Sequence, residues 1–254
     1  MKELKLIIKS NKQIAEGIYK MILYSPELLP AIVPGQFVNL EVPCRELPLR
    51  RPFGICEYTK NTITICYQIA GNGTEALKNA KKKTELSATL PLGNGFNLNG
   101  YRRIAVVGGG VGIFPLVSVL ANSKDRKFYS YIGFKSRSHM SYIGPFVKNS
   151  REIRVGTDDG SFGDKATAVR LFIDEYEKVQ PELIIACGPI AMLRTLKKEM
   201  AEKKITTPAL VSMEERMGCG IGACLVCICT KTGGKDNFRI CKDGPVFNIA
   251  DIEL

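Results

Sequence analysis

The segment IAVVGGGVGIFPLVSVLA, residues 104–121, decides the fold class of this 254-residue chain. It carries no charged residue and just reaches the length of a membrane-spanning candidate. Its four glycines and Pro115 would interrupt a helix in lipid, whereas a β-strand, a glycine turn and a helix account for every position. The segment therefore predicts the first strand and helix of an α/β domain, and we expect no membrane-spanning helix.

Downstream of this segment, apolar strands alternate with helices. Strands are predicted at 128–134, 153–156, 183–187 and finally 209–211, and helices at 166–178 and 190–203. Alternation of this kind is typical of a parallel sheet covered by helices. The sequence thus predicts an α/β parallel-sheet domain over residues 100–212.

Upstream of the segment, short strands are separated by turns. Leu4, Leu6 and Ile8 alternate with lysines, and residues 62–69 are rich in β-branched and aromatic side chains. Proline and glycine supply turn signals at 34–35, 71–73 and 91–95. This pattern predicts a β-barrel over residues 1–99.

The last 42 residues, 213–254, contain five of the nine cysteines. Four of them follow the pattern C-x4-C-x2-C-x13-C, at Cys219, Cys224, Cys227 and Cys241. A C-x4-C-x2-C run with a distant fourth cysteine is the plant-type [2Fe–2S] arrangement, in which a glycine-rich loop lets backbone N–H groups approach the sulfurs. Cys229 is too close to Cys227 for ordinary ligand spacing. A zinc site remains the alternative, although only Cys224 and Cys227 form a C-x2-C pair.

The charge and the single histidine limit the classes of function. Thirty-six Lys and Arg against 25 Asp and Glu give a formal charge of +11, which suits anionic cofactors, an anionic surface, nucleic acid or an acidic protein. No nucleic-acid-binding motif accompanies it, so we expect no nucleic acid partner. One histidine, His139, excludes a metal site with two histidines, and a Ser-His-Asp triad would have to include it. The amino terminus lacks an apolar signal region, which predicts a cytoplasmic chain.

Several short motifs in the first two domains suit anionic cofactors. In the barrel, an arginine can grip a diphosphate, and a Gly-Thr helix start offers N–H groups and a hydroxyl to the same anion. The glycines after the strand at 104–107 do not form G-x-G-x-x-G, yet they allow a dinucleotide to approach the backbone. Each motif taken singly is more typical of a purely structural role. The motifs are Arg51-Pro52-Phe53-Gly54, Cys66-Tyr67-Gln68, Gly73-Thr74, Gly108-Gly109-Gly110-Val111-Gly112 and Cys187-Gly188-Pro189.

In this order, and followed by the four cysteines, the motifs resemble the ferredoxin-reductase superfamily. More narrowly, the chain resembles the electron-transfer subunits of bacterial NAD-dependent dihydroorotate dehydrogenases. Residues 157–163 and 241–247 also resemble segments of that family, and the match covers nearly the whole chain.

The resemblance implies a ferredoxin-reductase-like chain with three parts. These are an FAD-binding β-barrel at 1–99, an NAD-binding α/β domain at 100–212 and a small [2Fe–2S] module at 213–254. Cys187 would lie where NAD reacts, and Gly54 stands where relatives commonly carry Ser or Thr. The implied FAD contacts are Arg51, Pro52, Phe53, Gly54, Cys66, Tyr67, Gln68, Gly73 and Thr74. The implied NAD contacts are Gly108, Gly109, Gly110, Gly112, Gly188 and Pro189, and the implied cluster ligands are Cys219, Cys224, Cys227 and Cys241.

The implied function is electron transfer in pyrimidine biosynthesis. A separate FMN-containing subunit would oxidise dihydroorotate, and this chain would pass the electrons through the cluster and FAD to NAD+ within a hetero-oligomer. Two alternatives remain open: a reductase subunit of a hydrogenase or of an NAD(P)H–ferredoxin oxidoreductase, and a zinc-stapled basic binding module without redox activity. NAD and NADP are also not distinguished, since Lys135 and Arg137 could pair with a 2′-phosphate or face solvent.

Overall fold

Six antiparallel strands close into a barrel at the amino-terminal end of the computed structural model, which describes residues 1–254. The barrel order is β1-β2-β5-β4-β3-β6, and helix α1 (Asn72–Lys78) lies between β5 and β6. The strands are β1 (Lys2–Ala15), β2 (Ile18–Tyr24), β3 (Phe37–Leu40), β4 (Arg51–Tyr58), β5 (Thr62–Gln68) and β6 (Glu85–Leu92).

The barrel forms because alternate residues of its strands are apolar. Leu4, Leu6 and Ile8 are buried in its interior, while Lys5 between the leucines and Lys9 after Ile8 are exposed. Residues from the other strands, such as Leu23 and Ile65, complete the same core. The expectation of an amino-terminal β-barrel is confirmed.

The segment 104–121 divides into a strand, a glycine turn and a helix, as its composition predicts. Strand β7 (Arg103–Gly109) leads through a 3-10 turn (Gly110–Gly112) into α2 (Ile113–Asn122). The domain continues with the elements β8 (Lys127–Phe134), a 3-10 turn (Arg137–His139), α3 (Gly144–Asn149), β9 (Ser150–Thr157), α4 (Ala168–Val179), β10 (Leu183–Cys187), α5 (Ile190–Glu202) and β11 (Ala209–Ser212). None of the helices is both long enough and apolar enough to cross a membrane.

The six-stranded sheet has the order β14-β11-β10-β7-β8-β9, and β7 to β11 run parallel. The chain moves from β7 to β8 and β9 on one side, then returns to β10 and β11 on the other. The carboxyl ends of β7 and β10 therefore flank the point at which the strand order reverses. Ligands of open α/β sheets bind in the crevice at such a point.

The carboxy-terminal residues complete this sheet. They form β12 (Ile228–Thr230), β13 (Asn237–Arg239), α6 (Ile240–Asp243) and β14 (Val246–Asn248). Strand β14 pairs antiparallel with β11, so the expectation that β11 is the last strand was wrong. Three residues are too few to show a strand periodicity in the sequence. Phe247 packs on Phe238 with ring centroids 4.9 Å apart, and the terminal residues thereby share the core of the α/β domain.

The barrel and the α/β domain also share a core. Cys56 and Cys66 on the barrel wall belong to the same buried cluster as Phe114 of α2. Because apolar side chains from both parts are buried together, the relative position of the barrel and the sheet is set by packing.

Candidate functional site

A cavity of about 480 Å³ lies where the barrel, the α/β domain and the carboxy-terminal module meet. The barrel contributes six of the residues that the resemblance assigns to FAD: Pro52, Phe53, Gly54, Cys66, Tyr67 and Gln68. The α/β domain contributes Val111, Phe114 and Pro115. The cavity is also lined by Ser212, Met213, Glu214, Glu215, Arg216, Met217, Ile240 and Pro245. A cavity lined by both polar and apolar side chains is the expected form of a cofactor site.

The segment 212–217 was missed by the sequence analysis. It joins the carboxyl end of β11 to the first cysteine of the predicted cluster. The signal that could have found it is its position, because the residues that follow parallel strands form the ligand-binding edge of a sheet. The Glu214 side chain in this segment is exposed along the cavity, and desolvation by the surrounding protein raises the pKa of its carboxyl group above its ordinary value.

Arg51 lies beside the start of α1. A Cβ atom placed on Gly73 would be 2.7 Å from Arg51 Nε, so these two predicted diphosphate contacts are adjacent. The guanidinium of Arg51 donates only to the main-chain oxygens of Leu49 and Arg50, and it forms no ion pair. An unpaired guanidinium beside a helix start is suited to a diphosphate. The hydroxyl of Thr74, another predicted FAD contact, already accepts hydrogen bonds from the N–H groups of Ala70 and Gly71.

Gly54 is packed against α2. A Cβ atom at this position would lie 2.6 Å from Cγ of Pro115, which is closer than side-chain carbons approach in folded proteins. Pro115 therefore occupies the volume that a Ser or Thr side chain would need. This contact accounts for the glycine at a position where the resemblance leads one to expect a hydroxyl.

We expect Gly54→Ser to lower the free energy of unfolding by about 1–3 kcal/mol, the usual cost of an overpacked site. The added atoms meet a ring carried by α2, which cannot rotate away. The double variant Gly54→Ser/Pro115→Ala should recover most of this loss, because it removes the colliding ring. Denaturant unfolding of the flavin-loaded variants measures both effects. If Gly54→Ser were as stable as the wild type, Pro115 would not be what prevents a side chain at position 54.

The glycines predicted to contact NAD divide into two groups. Gly108 is buried, and a Cβ atom there would meet Ile113 and Ile132 of the core. A Cβ atom on Gly112 would be 2.5 Å from the backbone N and Cα of Gly188, so Gly112 allows the turns after β7 and β10 to touch. These two glycines are required for packing. Gly109, Gly110 and Gly188 remain at the crevice, where Gly110 has φ +54° and open space around it.

Cys187, the predicted residue at the site of NAD chemistry, is fully buried at the end of β10. It does not line the cavity, but Ser212, which lies opposite it on β11, does. Burial, with a smaller contribution from the Glu214 carboxylate, raises the pKa of the thiol far above its ordinary value. Cys187 is therefore a neutral thiol at neutral pH.

The predicted cluster cysteines Cys219, Cys224 and Cys227 lie in the loop between β11 and β12, whereas Cys241 lies in α6. The four are arranged as two pairs. The N–H group of Cys219 donates to Cys224 Sγ at 3.3 Å, and that of Cys241 donates to Cys227 Sγ at 3.4 Å. A tetrahedral zinc site needs all its ligands around one ion, whereas a [2Fe–2S] centre takes two thiolates on each of two irons.

Backbone N–H groups surround the cysteine sulfurs. Burial by itself would raise the pKa of Cys219, but the N–H groups of Ile221, Ala223 and Cys224 donate to its Sγ at 3.3–3.4 Å and lower the pKa to about 6. By contrast, burial and the neighbouring thiol of Cys227 raise the pKa of Cys241 to about 12. Donors aimed at sulfur in this way fit thiolates that carry a cluster.

Comparisons with known proteins agree with this arrangement. Residues 214–253 match the family model described as the iron-sulfur cluster binding domain of dihydroorotate dehydrogenase B. A relative from Clostridium perfringens strain 13 is 35% identical over 254 residues, covering 97% of this chain and 96% of its own length. A relative from Bacillus cereus strain B4264 is 35% identical over 265 residues and covers 100% of both chains. Both are described as the electron transfer subunit of dihydroorotate dehydrogenase B (NAD(+)).

Solved structures show the same fold at lower identity. The structure described as an NADH-dependent reduced ferredoxin-NADP oxidoreductase superposes with a TM-score of 0.86 at 24% identity, covering 98% of this chain and 89% of that one. Phthalate dioxygenase reductase gives a TM-score of 0.70 at 20% identity, covering 91% of this chain and 87% of that one. The expected ferredoxin-reductase-like architecture is thus confirmed. The matches at 35% identity over nearly the full length of both relatives show the family. The chain belongs to the oxidoreductase electron transfer subunits of dihydroorotate dehydrogenase B (NAD(+)).

Proposed function

We propose that this chain transfers electrons between NAD+ and a separate FMN-containing subunit that oxidises dihydroorotate, using FAD and a [2Fe–2S] cluster. Bound FAD would supply the exchange of electron pairs with the nicotinamide and of single electrons with the cluster. The chain's own residues bind these groups, orient them and exclude water. The proposal depends on one observation: residues that line the cavity, Met217 and Ile240, are close neighbours in the sequence of the cluster cysteines Cys219 and Cys241.

These residues connect the two cofactor sites. Met217, two residues before Cys219, lines the cavity. Ile240, which immediately precedes Cys241, lines it as well. A flavin ring in the cavity and a cluster on the four cysteines would therefore be separated by a single layer of side chains. Such proximity is what electron transfer between the two requires.

We assign the residues of each site from these contacts. FAD would occupy the cavity, with its ring against Pro52, Phe53 and Gly54 and its diphosphate at Arg51 and Gly73. Cys219 and Cys224 would bind one iron, and Cys227 and Cys241 the other. NAD+ would enter the crevice between β7 and β10, since Val111 in the turn after β7 also lines the flavin cavity.

The partner subunit would bind over the cysteine loop. Four large apolar side chains lie within four residues of the exposed Cys224 in the sequence, at fractional exposures between 43% and 61%: Ile221, Leu225, Val226 and Ile228. Contiguous exposed apolar side chains mark protein interaction sites. Binding at this face would bring the partner's FMN near the cluster and cover the apolar surface. We further infer that the complex works in the cytoplasm and that no nucleic acid takes part.

We expect Leu225→Asp to weaken binding of the partner subunit by about 10-fold or more, because a buried unpaired carboxylate at an interface is strongly unfavourable. Leu28→Asp is the matched control, since Leu28 is similarly exposed, at 67% against 61% for Leu225, but lies in the loop between β2 and β3. Sedimentation or calorimetric titration with the purified partner measures both affinities. Equal effects of the two substitutions would show that this face is not the interface.

The function itself is tested by reconstitution. The chain, produced with its FMN-containing partner, should reduce NAD+ with dihydroorotate as the donor, and neither subunit alone should sustain this reaction. Oxidation of dihydroorotate by the isolated chain would refute the division of labour. A complex that reduced NAD(P)+ only with ferredoxin or hydrogen as donor would instead favour the ferredoxin-linked or hydrogenase alternative.

A further inference from the structure

A methionine side chain lies in the crevice at which the strand order of the α/β sheet reverses. Strands β7 and β10 are neighbours with Gly108 opposite Cys187, so Gly109 and Gly188 follow side by side at their carboxyl ends. Met192 belongs to the first turn of α5, immediately after this crevice. Its thioether contacts both glycines.

The distances define this contact. A Cβ atom on Gly109 would lie 2.6 Å from Met192 Sδ, and one on Gly188 would lie 2.6 Å from Met192 Cε. The thioether therefore covers the same side of both residues. Because Gly109 has ordinary extended angles, φ −132° and ψ 132°, its backbone would accept a side chain. The space that the glycine leaves is filled by Met192.

The remaining walls of the crevice have little freedom to move. The backbone of Gly188 packs directly against Gly112, and Pro189 lies 3.3 Å from the Cβ position of Gly109. Met192 is half-buried and has three rotatable side-chain bonds ending in a polarizable thioether. It is the one flexible group among these contacts.

We propose that Met192 is the gate of the nucleotide crevice. In its resting position the thioether covers Gly109 and Gly188, and a dinucleotide reaches their backbone only after the side chain rotates away. The free energy of this displacement weakens binding, which favours rapid exchange of NAD+ and NADH. This inference rests on the proposed function, because it takes the crevice as the nucleotide site.

Met192→Ala tests the gate in the flavin- and cluster-loaded protein. The apparent Kd for NAD+, measured by calorimetry on the oxidised protein, should fall by about 2- to 10-fold, the range expected for one side chain that no longer has to be displaced and ordered. The NADH concentration that half-saturates flavin reduction should fall in parallel. Met200→Ala is the matched control: Met200 lies on the same helix but is buried in the core, away from the crevice. The Kd of the Met200→Ala variant for NAD+ should equal that of the wild type.

A second variant examines the contact itself. The methyl group of Gly109→Ala would push the thioether further into the crevice and weaken NAD+ binding. In the double variant Gly109→Ala/Met192→Ala the vacated space accommodates the methyl group, so the loss should largely disappear.

Two results would overturn the gate, and they are distinguishable. An unchanged or higher Kd for NAD+ in Met192→Ala, with clear binding in both proteins, would overturn the gate alone. A lack of NAD+ binding and of flavin reduction by NADH in wild type and variants alike would overturn the nucleotide site and the gate together.

Discussion

Cys227→Ser is expected to abolish cluster assembly and to lower electron transfer to the partner by about 100-fold or more, whereas Cys229→Ser should leave both intact. Loss of a residue that merely orients a metal ligand costs 10- to 100-fold in metal affinity or activity, and loss of a ligand itself should cost more. The two cysteines are two residues apart and both buried. Only Cys227 lies beside another cluster thiol, that of Cys241.

Three measurements check this prediction. Iron and acid-labile sulfide should be present in the wild type and in Cys229→Ser, and absent from Cys227→Ser. Reduction of the flavin by NADH should persist in both variants, because the barrel and the crevice are untouched. Loss of the cluster in Cys229→Ser, or its retention in Cys227→Ser, would show that the ligands are wrongly assigned. Zinc without sulfide in the wild type would establish the zinc alternative.

Arg51→Ala is expected to weaken FAD binding by about 10- to 100-fold, the usual effect of removing one hydrogen-bonding partner from a charged group. Arg51 carries an unpaired guanidinium beside Gly73, at the proposed diphosphate position. The neighbouring Arg50 is a matched control, because its guanidinium is bound to Glu3 on β1 and to Ser87 and Thr89 on β6. Arg50→Ala should destabilise the barrel modestly but leave the affinity for FAD near the wild-type value.

Fluorescence titration of the apoprotein with FAD measures both affinities. Arg51→Lys should recover part of the loss, since a lysine restores the charge without the paired donors of a guanidinium. A wild-type Kd for FAD in Arg51→Ala would place the diphosphate elsewhere. A larger effect for Arg50→Ala than for Arg51→Ala would indicate that the barrel structure, and not a direct contact, controls binding.

Much of the fold and of the candidate site could be predicted from local patterns in the sequence. The alternation at Leu4, Leu6 and Ile8 predicted the barrel, and the glycines within 104–121 distinguished a strand and helix from a membrane segment. The cysteine spacing predicted a binuclear cluster, because ligands on one tight loop are separated by few residues. In each case the physical cause acts within a few positions along the chain, so the sequence carries it directly.

Other features depend on contacts between distant parts of the chain, which no local pattern encodes. Pro115 against Gly54, Met192 over Gly109 and Gly188, and the pairing of β14 with β11 all arise when separate elements pack together. The same holds for the segment 212–217, which became part of the cavity because β11 ends at the edge facing the barrel. The sequence by itself therefore determined which elements form and which cysteines can share a cluster. Only the tertiary structure decided which side chains meet around the cavity and the crevice, because those distances are set by close packing of the completed core.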